Sequence, residues 1–456
     1  MLNRRFKRNA IPAVLLMAGA TASSVLAGDH ENFSTLYKFQ APDPNTFASP
    51  LGSQPDTRPV LGPGNTVYGM TLEGGTNGTG VIYRFNLESH RYTVLHTFSA
   101  LDANGTNDDG AVPGAALTRY GDDVFYGIAT SGGVNGNGTV FKITASGEFK
   151  VLHTFSALDA NGNNEDGAYP LRAVVVGKDG KLYGTTRIGG ENICGATHGC
   201  GVAWVMDRSG NSFKVLHQFT DAEGHAASLL QARDGLFYGC AVWPATSLPS
   251  GVALPSGILY RMAASGNHFE VLYTFGLTNA LGQNSDGADC YEPLTETKPG
   301  VFYGTAMLGG TNGTGVVFRY SLSKPGRLEI VHDFSAVNAT GENLDGANPY
   351  AQLTVGKAGT LYSTASFGGA NGNGVVYRIC SDGDFDVLHT FSAANPVTGA
   401  NQDGAIPDYG VVLRDDDLIG ITPVGGKGSS AGFFNSGGTL YQVHLWDFWS
   451  PCECEH

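Results

Sequence analysis

Three short apolar words recur in fixed order along this chain, and that repetition constrains its fold more than any other feature. The first is a Tyr-Gly word: Val67-Tyr68-Gly69, Phe125-Tyr126-Gly127, Leu182-Tyr183-Gly184, Phe237-Tyr238-Gly239, Phe302-Tyr303-Gly304, Leu361-Tyr362-Ser363 and a weakened Leu418-Ile419-Gly420. The second alternates apolar and polar residues, as in Val81-Ile82-Tyr83-Arg84-Phe85 and Val140-Phe141-Lys142-Ile143, with equivalents at Val202, Ile258, Val316, Val375 and Leu440. The third is Val94-Leu95-His96-Thr97-Phe98, echoed at Val151, Val215, Val271, Ile330 and Val387. Each word is short, rich in β-branched and aromatic residues, and bounded by Gly, Asn or Asp. That is strand chemistry, and it leaves little room for helices.

The first two words are joined by Gly-Gly-x-Asn-Gly, as at Gly74–Gly78, Gly132–Gly136, Gly309–Gly313 and Gly368–Gly372. Asn-Gly accepts the positive φ angles of a tight hairpin. A fourth strand lies between an Asp-Gly-Ala-x-Pro turn and the next Tyr-Gly word, as in Pro170–Val176. Four antiparallel strands per unit, repeated radially, predict an all-β propeller. The Tyr-Gly words and the alternating strands each number seven, whereas complete third words number six. The missing outer strand stands at the other end of the chain, in Leu36-Tyr37-Lys38-Phe39. The expected fold is therefore a seven-bladed β-propeller over residues 34–443, its N-terminal strand completing the last blade and closing the ring. Closure removes two exposed sheet edges.

The pattern Leu-Tyr-Gly-Thr-Thr, Gly-Gly, Asn-Gly-x-Gly-Thr-Val-Phe, Val-Leu-His-Thr-Phe resembles the GloVer repeat, found in exported bacterial proteins with varied surface anchors. The resemblance runs from Leu36 to Val443 and implies export and a propeller, with no particular biochemical activity. Unit four departs from it, carrying Trp243-Pro244 and a longer loop in place of the Gly-rich hairpin.

Residues 1–27 read as a secretory signal peptide: Arg4, Arg5, Lys7 and Arg8, a short apolar stretch from Ile11, then small residues ending Val25-Leu26-Ala27. Cleavage near Ala27 would leave a secreted or periplasmic protein with a tail at 444–456. No later segment is long and apolar enough for a membrane span. The formal charge is -14, and the 27 Lys and Arg residues are scattered singly, so nucleic acid is not an expected partner. Seven cysteines in an oxidising space predict disulfides. Cys194 and Cys200 flank a Gly-rich insertion and are expected to pair. Cys240 and Cys290 are the second expected pair, and Cys380 is assigned to Cys452 or Cys454. The tail, Cys452-Glu453-Cys454-Glu455-His456, resembles a metal-binding tag, but reads as a frayed end.

Repetition also sorts the polar residues. His96, His153, His217, His332 and His389 share one column of one strand, and a catalytic group is not needed five times around a ring. They read as structural, each bonding a neighbouring blade or turn. The loops Asp102–Gly110 and Asp159–Gly167 alternate oxygen donors with Gly. Asp102, Asn104, Asp159 and Asn161 are therefore calcium candidates, although local turn chemistry explains the same residues and the distal Glu of a helix-flanked calcium loop is missing. No cofactor is otherwise implied.

Positions that break the repeat are not needed to close the ring, and they cluster in units three to five. Unit three carries Arg187, Glu191 and an insertion bearing His198. Aligned without gaps on unit three, unit four places His225 where unit three has Pro170, and Trp243 falls in its altered hairpin. Unit five has Cys290 in the Pro column, followed by Tyr291 and Glu292. If strands run outward from the channel, these loops share one face. His225, His198 and Tyr291 are then candidate proton-transfer groups, and Arg187, Trp243 and Glu292 candidate ligand contacts. The leading expectation is a non-enzymatic binding scaffold that presents this face to an extracellular glycan or protein. The competing one is a carbohydrate-active enzyme, a lyase of acidic polysaccharide. A structural or adhesive surface protein is the third. The sequence leaves the oligomeric state open.

Overall fold

A computed structural model describes residues 32–194, 198–243, 256–429, 432, 434 and 436–445, with only the backbone described at 193 and 194. The leader, the loop at 244–255 and the tail cysteines therefore lie outside the described residues. The remainder is a ring of seven antiparallel blades, a seven-bladed β-propeller as the repeat predicts. A 3-10 turn spans Lys357–Gly359, and among the described residues no helix is long and apolar enough to cross a membrane.

Blade six shows the plan. Strands Thr354–Val355, Leu361–Ala365, Val375–Ile379 and Phe385–Thr390 run outward in sequence order, each antiparallel to the last. The Tyr-Gly word forms the second strand. Its glycine is required by a close approach: a Cβ at Gly69 would lie 2.4 Å from the Tyr83 hydroxyl of the next strand, and one at Gly184 would lie 2.3 Å from the Trp204 ring. The tyrosine of the word packs between blades, as where Tyr68 stacks on Phe125 at 4.3 Å. In the hairpin only glycines take a positive φ, 83° at Gly74, 73° at Gly75 and 74° at Gly78, while Asn77 does not. Asn77 serves the hairpin differently, its amide donating to the Phe98 carbonyl at 2.9 Å.

Blade seven is assembled from both ends of the chain. Phe33–Lys38 pairs with Thr439–His444, outside Asp417–Thr422 and Val411–Arg414. The first strand thus starts one residue before the predicted boundary and the last runs one residue past it. Phe33 stacks on His389 of blade six at 3.7 Å, and Tyr37 stacks on Tyr92 of blade one at 4.5 Å. The closing strand therefore grips both neighbouring blades.

The histidine column has the structural role expected of it. His96, His153, His332 and His389 meet Asp109, Asp166, Asp345 and Asp403 at 2.9, 2.9, 3.1 and 3.0 Å. His217 meets Glu223 at 3.1 Å, because unit four has a shorter loop and a longer carboxylate side chain spans the turn. The other face of each ring stacks on a phenylalanine of the following blade, as His153 does on Phe213 at 4.0 Å. A bulge just before the histidine, as between Val151 and His153, turns the imidazole out of the pleat toward both partners. Each pair thus ties a loop to its own blade and one blade to the next.

Burial raises the carboxyls of Asp166, Asp345, Asp403 and Glu223, but their histidine and Ser or Thr donors outweigh it and hold all four below ordinary values. A depressed folded pKa adds stability that is complete above the unfolded value and is lost as pH falls through the folded one. Unfolded Asp and Glu titrate near about 4. The contribution of these four carboxylates should therefore be constant from neutrality down to about pH 5 and be lost below about pH 4, where the denaturation midpoint should drop steeply. A chemical-denaturation series across that range checks this, and a flat profile to about pH 2 would contradict it.

Cys240 and Cys290 form the predicted disulfide, linking blade four to the segment leading into blade five. Cys200 and Cys380 are also disulfide-bonded. Their expected partners, Cys194 and the tail cysteines, have side chains outside the described residues.

Candidate functional site at the channel mouth

The segment after each Asp-Gly turn descends into the channel before becoming the innermost strand. Its geometry repeats: the residue before the Pro column is left-handed at Gln54, Val112, Tyr169, Asp289, Asn348 and Ile406, with φ between 53° and 62°. A non-glycine residue in this region is uncommon and strained, and the fold holds it six times. At Val112, Asp289 and Asn348 the strain is offset by paired backbone groups, the N–H donating to the preceding blade and the carbonyl accepting from its own second strand.

Blade four breaks this row. Ala226 faces Ala241 as Pro170 faces Thr186, so Ala226 and not His225 takes the Pro column. The gapless alignment fails because the chain reaches the inner strand from that row one residue sooner, Leu230 pairing with Tyr238 as Val175 pairs with Tyr183. His225 is thereby set one row toward the open face, opposite Val242.

There His225 is 3% exposed, with Nδ1 2.8 Å from the Arg187 carbonyl of blade three. A carbonyl only accepts, so Nδ1 carries the proton and Nε2 presents a bare lone pair, which has no hydrogen-bond partner. Burial pushes the imidazole down to about 4, with His198 and Arg187 adding to the shift, so it is neutral at physiological pH. The His198 ring lies 5.3 Å away. Arg187 itself makes no hydrogen bond or ion pair through its guanidinium among the described residues. Its charge is felt at both His225 and Tyr291.

Beneath this mouth lies a polar network that the sequence reading missed. Arg172, on the inner segment of blade three, reaches across to the segments leading into blades five and six. It meets Glu292 Oε1 at 3.2 Å, the Tyr291 carbonyl at 3.1 Å and the Tyr350 hydroxyl at 2.7 Å. The side chains of Arg172 and Glu292 are 10% and 15% exposed. On the other side Arg58 of blade one donates to the Val411 carbonyl, Gln352 and Thr354, and Tyr409 donates to Asp56 at 2.9 Å. Burial pushes Arg58 down to about 10 and raises Glu292, the latter opposed by Arg172 and Arg58. One signal in the sequence marked this set. The two residues after the Pro column are Gly114 and Ala115 in unit two, but Leu171-Arg172, Tyr291-Glu292, Tyr350-Ala351 and Asp408-Tyr409 elsewhere.

The six proposed site residues therefore divide. Arg187, His198 and His225 come together, and Tyr291 joins them through the charge of Arg187. Glu292 sits deeper as the partner of Arg172. Trp243 turns inward, 8% exposed, its indole N–H donating to the Asp221 carbonyl at 2.7 Å, and packs in the core instead of standing on the face. Asp289 was not anticipated. Burial raises its carboxyl to about 7, and the group lies within electrostatic reach of Tyr291.

The loop carboxylates proposed for calcium are occupied by their own turns. Asp102 accepts from the Asn104 and Thr106 amides, and Asp159 accepts from Asn161 and Asn163. Among the described residues no group of three or more His, Cys, Asp or Glu side chains converges as a metal cage.

Fold and site together define a seven-bladed β-propeller with a buried polar plug and one irregular sector at its mouth. The chain belongs to the Gloeobacter/Verrucomicrobia repeat family, whose signature matches residues 23–196 and 159–343. No curated protein matches its sequence. Among solved structures it is similar to virginiamycin B lyase from Staphylococcus aureus, at 11% identity and a TM-score of 0.50, over 91% of this chain and 99% of that one. A puromycin-hydrolyzing peptidase from Mycobacterium tuberculosis has the same identity, TM-score and coverage of this chain, which spans 55% of the peptidase. At such identity these likenesses concern the fold alone.

Proposed function

We propose that this protein is an exported binding propeller that grips a carboxylate-bearing glycan at the channel mouth over blades three to five. Export rests on the basic and apolar leader and on the disulfides, which persist in oxidising compartments. The binding reading is carried by Arg187, a guanidinium with no protein partner among the described residues, within electrostatic reach of Tyr291. A free guanidinium is the residue of choice for bidentate carboxylate capture, and Tyr supplies an apolar face with a polar tip. The plug fits this role, because Arg172 and Glu292 hold Tyr291 and its neighbours in place without being consumed by a ligand.

Binding of acidic oligosaccharides on a glycan array should weaken by about 10- to 100-fold on Arg187→Ala, the loss of one charge-assisted contact. Binding that survives the substitution unchanged contradicts the assignment. The pH dependence has a definite sign. As pH rises through about 7, Asp289 gains a negative charge at the mouth and repels an anionic ligand. Affinity should therefore fall between pH 6 and pH 8 by about fivefold or more, consistent with one like charge at short range, and Asp289→Asn should abolish the dependence.

A second reading is favoured by the same carboxyl. A base poised near neutrality within electrostatic reach of Tyr291 fits a lyase acting on uronates: Arg187 would neutralise the carboxylate, Asp289 would remove the adjacent proton, and the glycosidic C4–O bond would break as the C4–C5 double bond forms, the departing oxygen taking a proton from the Tyr291 hydroxyl, which burial keeps protonated. Turnover, with formation of unsaturated products, would move the protein into that class.

A further inference from the structure

We propose that His198 and His225 form a binding site for one divalent transition-metal ion, of the Zn2+ or Cu2+ class, at the outer edge of the channel mouth. Three observations carry it, and none depends on the glycan reading. The first is the orphaned Nε2 of His225, a buried acceptor without a hydrogen bond. Among the buried side-chain atoms without a partner in the described residues it is the one imidazole nitrogen, and such an atom needs a reason. A second observation is tautomeric. The Nδ1 proton is held by the Arg187 carbonyl at 2.8 Å, the backing that metal-ligating imidazoles receive from a second group, and it leaves Nε2 as the sole coordinating atom. His198 has a similar, longer approach of its Nδ1 to the Gly199 carbonyl at 3.3 Å.

The third observation is the spacing. Two imidazoles on one tetrahedral ion, with metal–nitrogen bonds of about 2.0–2.1 Å, place their ring centres about 5 Å apart. The rings here are 5.3 Å apart and inclined at 58°, so they can address one ion without stacking on each other. His198 sits on the short hairpin of Ile193–Cys194 and His198–Gly199, and its half-buried ring provides the approach from solvent. Imidazole nitrogens suit Zn2+ and Cu2+, and they do not suit calcium or magnesium, which take oxygen ligands. Two protein ligands leave the remaining positions to water or to an oxygen of a bound molecule, so the site is open and not a structural cage.

The test is titration of the purified full-length protein with Cu2+, followed by electron paramagnetic resonance, and with Zn2+, followed by calorimetry. We expect a single tight equivalent whose copper spectrum shows two equatorial imidazole nitrogens, with affinity falling at least tenfold in His198→Ala and unchanged in His456→Ala. Zn2+ should also raise the thermal midpoint of the parent protein and not of His198→Ala, because an ion that binds only the folded state stabilises it. His198 is the better position to vary, since His225 is buried and its loss could perturb the fold. Retention of the tight equivalent in His198→Ala, its loss in His456→Ala, or no tight equivalent at all would overturn the proposal.

Discussion

Deletion of residues 33–38 abolishes cooperative folding of the ring as a monomer, and a synthetic peptide of that sequence restores it in trans. The expectation follows from what the strand does. It supplies the outer partner of Thr439–His444 in blade seven and contributes the ring on which His389 stacks. Through Tyr37 it also reaches blade one. Without it, Leu440 and Tyr441, both 0% exposed, lose their outer cover, and the row of backbone donors and acceptors on Thr439–His444 becomes an open edge that invites pairing between chains. A single substitution next to the strand measures part of the same effect. Phe39 is 0% exposed, and Phe39→Ala should cost about 3–5 kcal/mol in chemical denaturation. Size-exclusion chromatography with circular dichroism reads the deletion, and a well-folded monomer lacking the strand would show that the ring closes by other means.

The second large effect lies in the plug. Arg172→Ala leaves Glu292 buried without its ion-pair partner, with Arg58 acting on it only at longer range, and also removes the donors to the Tyr291 carbonyl and the Tyr350 hydroxyl. Breaking one side of a buried pair costs about 3–5 kcal/mol, because the remaining charge keeps its desolvation penalty and loses its compensation. Removing both partners is gentler. Arg172→Met combined with Glu292→Leu should recover most of the loss, since the apolar pair carries no charge to desolvate. A double-mutant cycle in urea separates the cases. Equal destabilisation by the single and double changes would mean that the two residues act only through packing. Because the plug bridges blades three, five and six, it should also set the rigidity of the mouth. The double variant should therefore bind ligand more weakly even where its stability is restored.

How much of this was legible in the sequence depended on whether a residue repeats. Blade count, strand order and the closing strand were readable because Tyr68-Gly69, Val81–Phe85 and Val94–Phe98 recur as units, and because one outer strand was missing from the last of them. The His column was readable for the same reason, since five copies of one residue argue against catalysis. Cys240 and Cys290 were paired from their positions in adjacent repeats, and the bond is present. What could not be read was contact across the ring. Arg172 and Glu292 are far apart in sequence and stand in non-neighbouring blades, so no local pattern couples them, and only the descent of both segments into one channel brings them together. Trp243 was misplaced for a different reason. Its indole looked available because it interrupts a polar hairpin, whereas the carbonyl of Asp221 and the apolar packing of blade four turn it inward. Asp289 was passed over as an ordinary residue between the Asp-Gly turn and Cys290. Its importance comes from burial and a left-handed backbone, neither of which its residue type reveals.

On the proposed function the irregular sector binds an acidic glycan without transforming it. Incubation of the protein with uronate oligosaccharides, followed by binding and by ultraviolet absorbance of unsaturated products in one sample, tests it directly. Saturable binding that Arg187→Ala weakens, with no rise in absorbance, is the predicted result. A rise in absorbance that Arg187→Ala abolishes would contradict the claim and make the channel mouth the active site of a lyase.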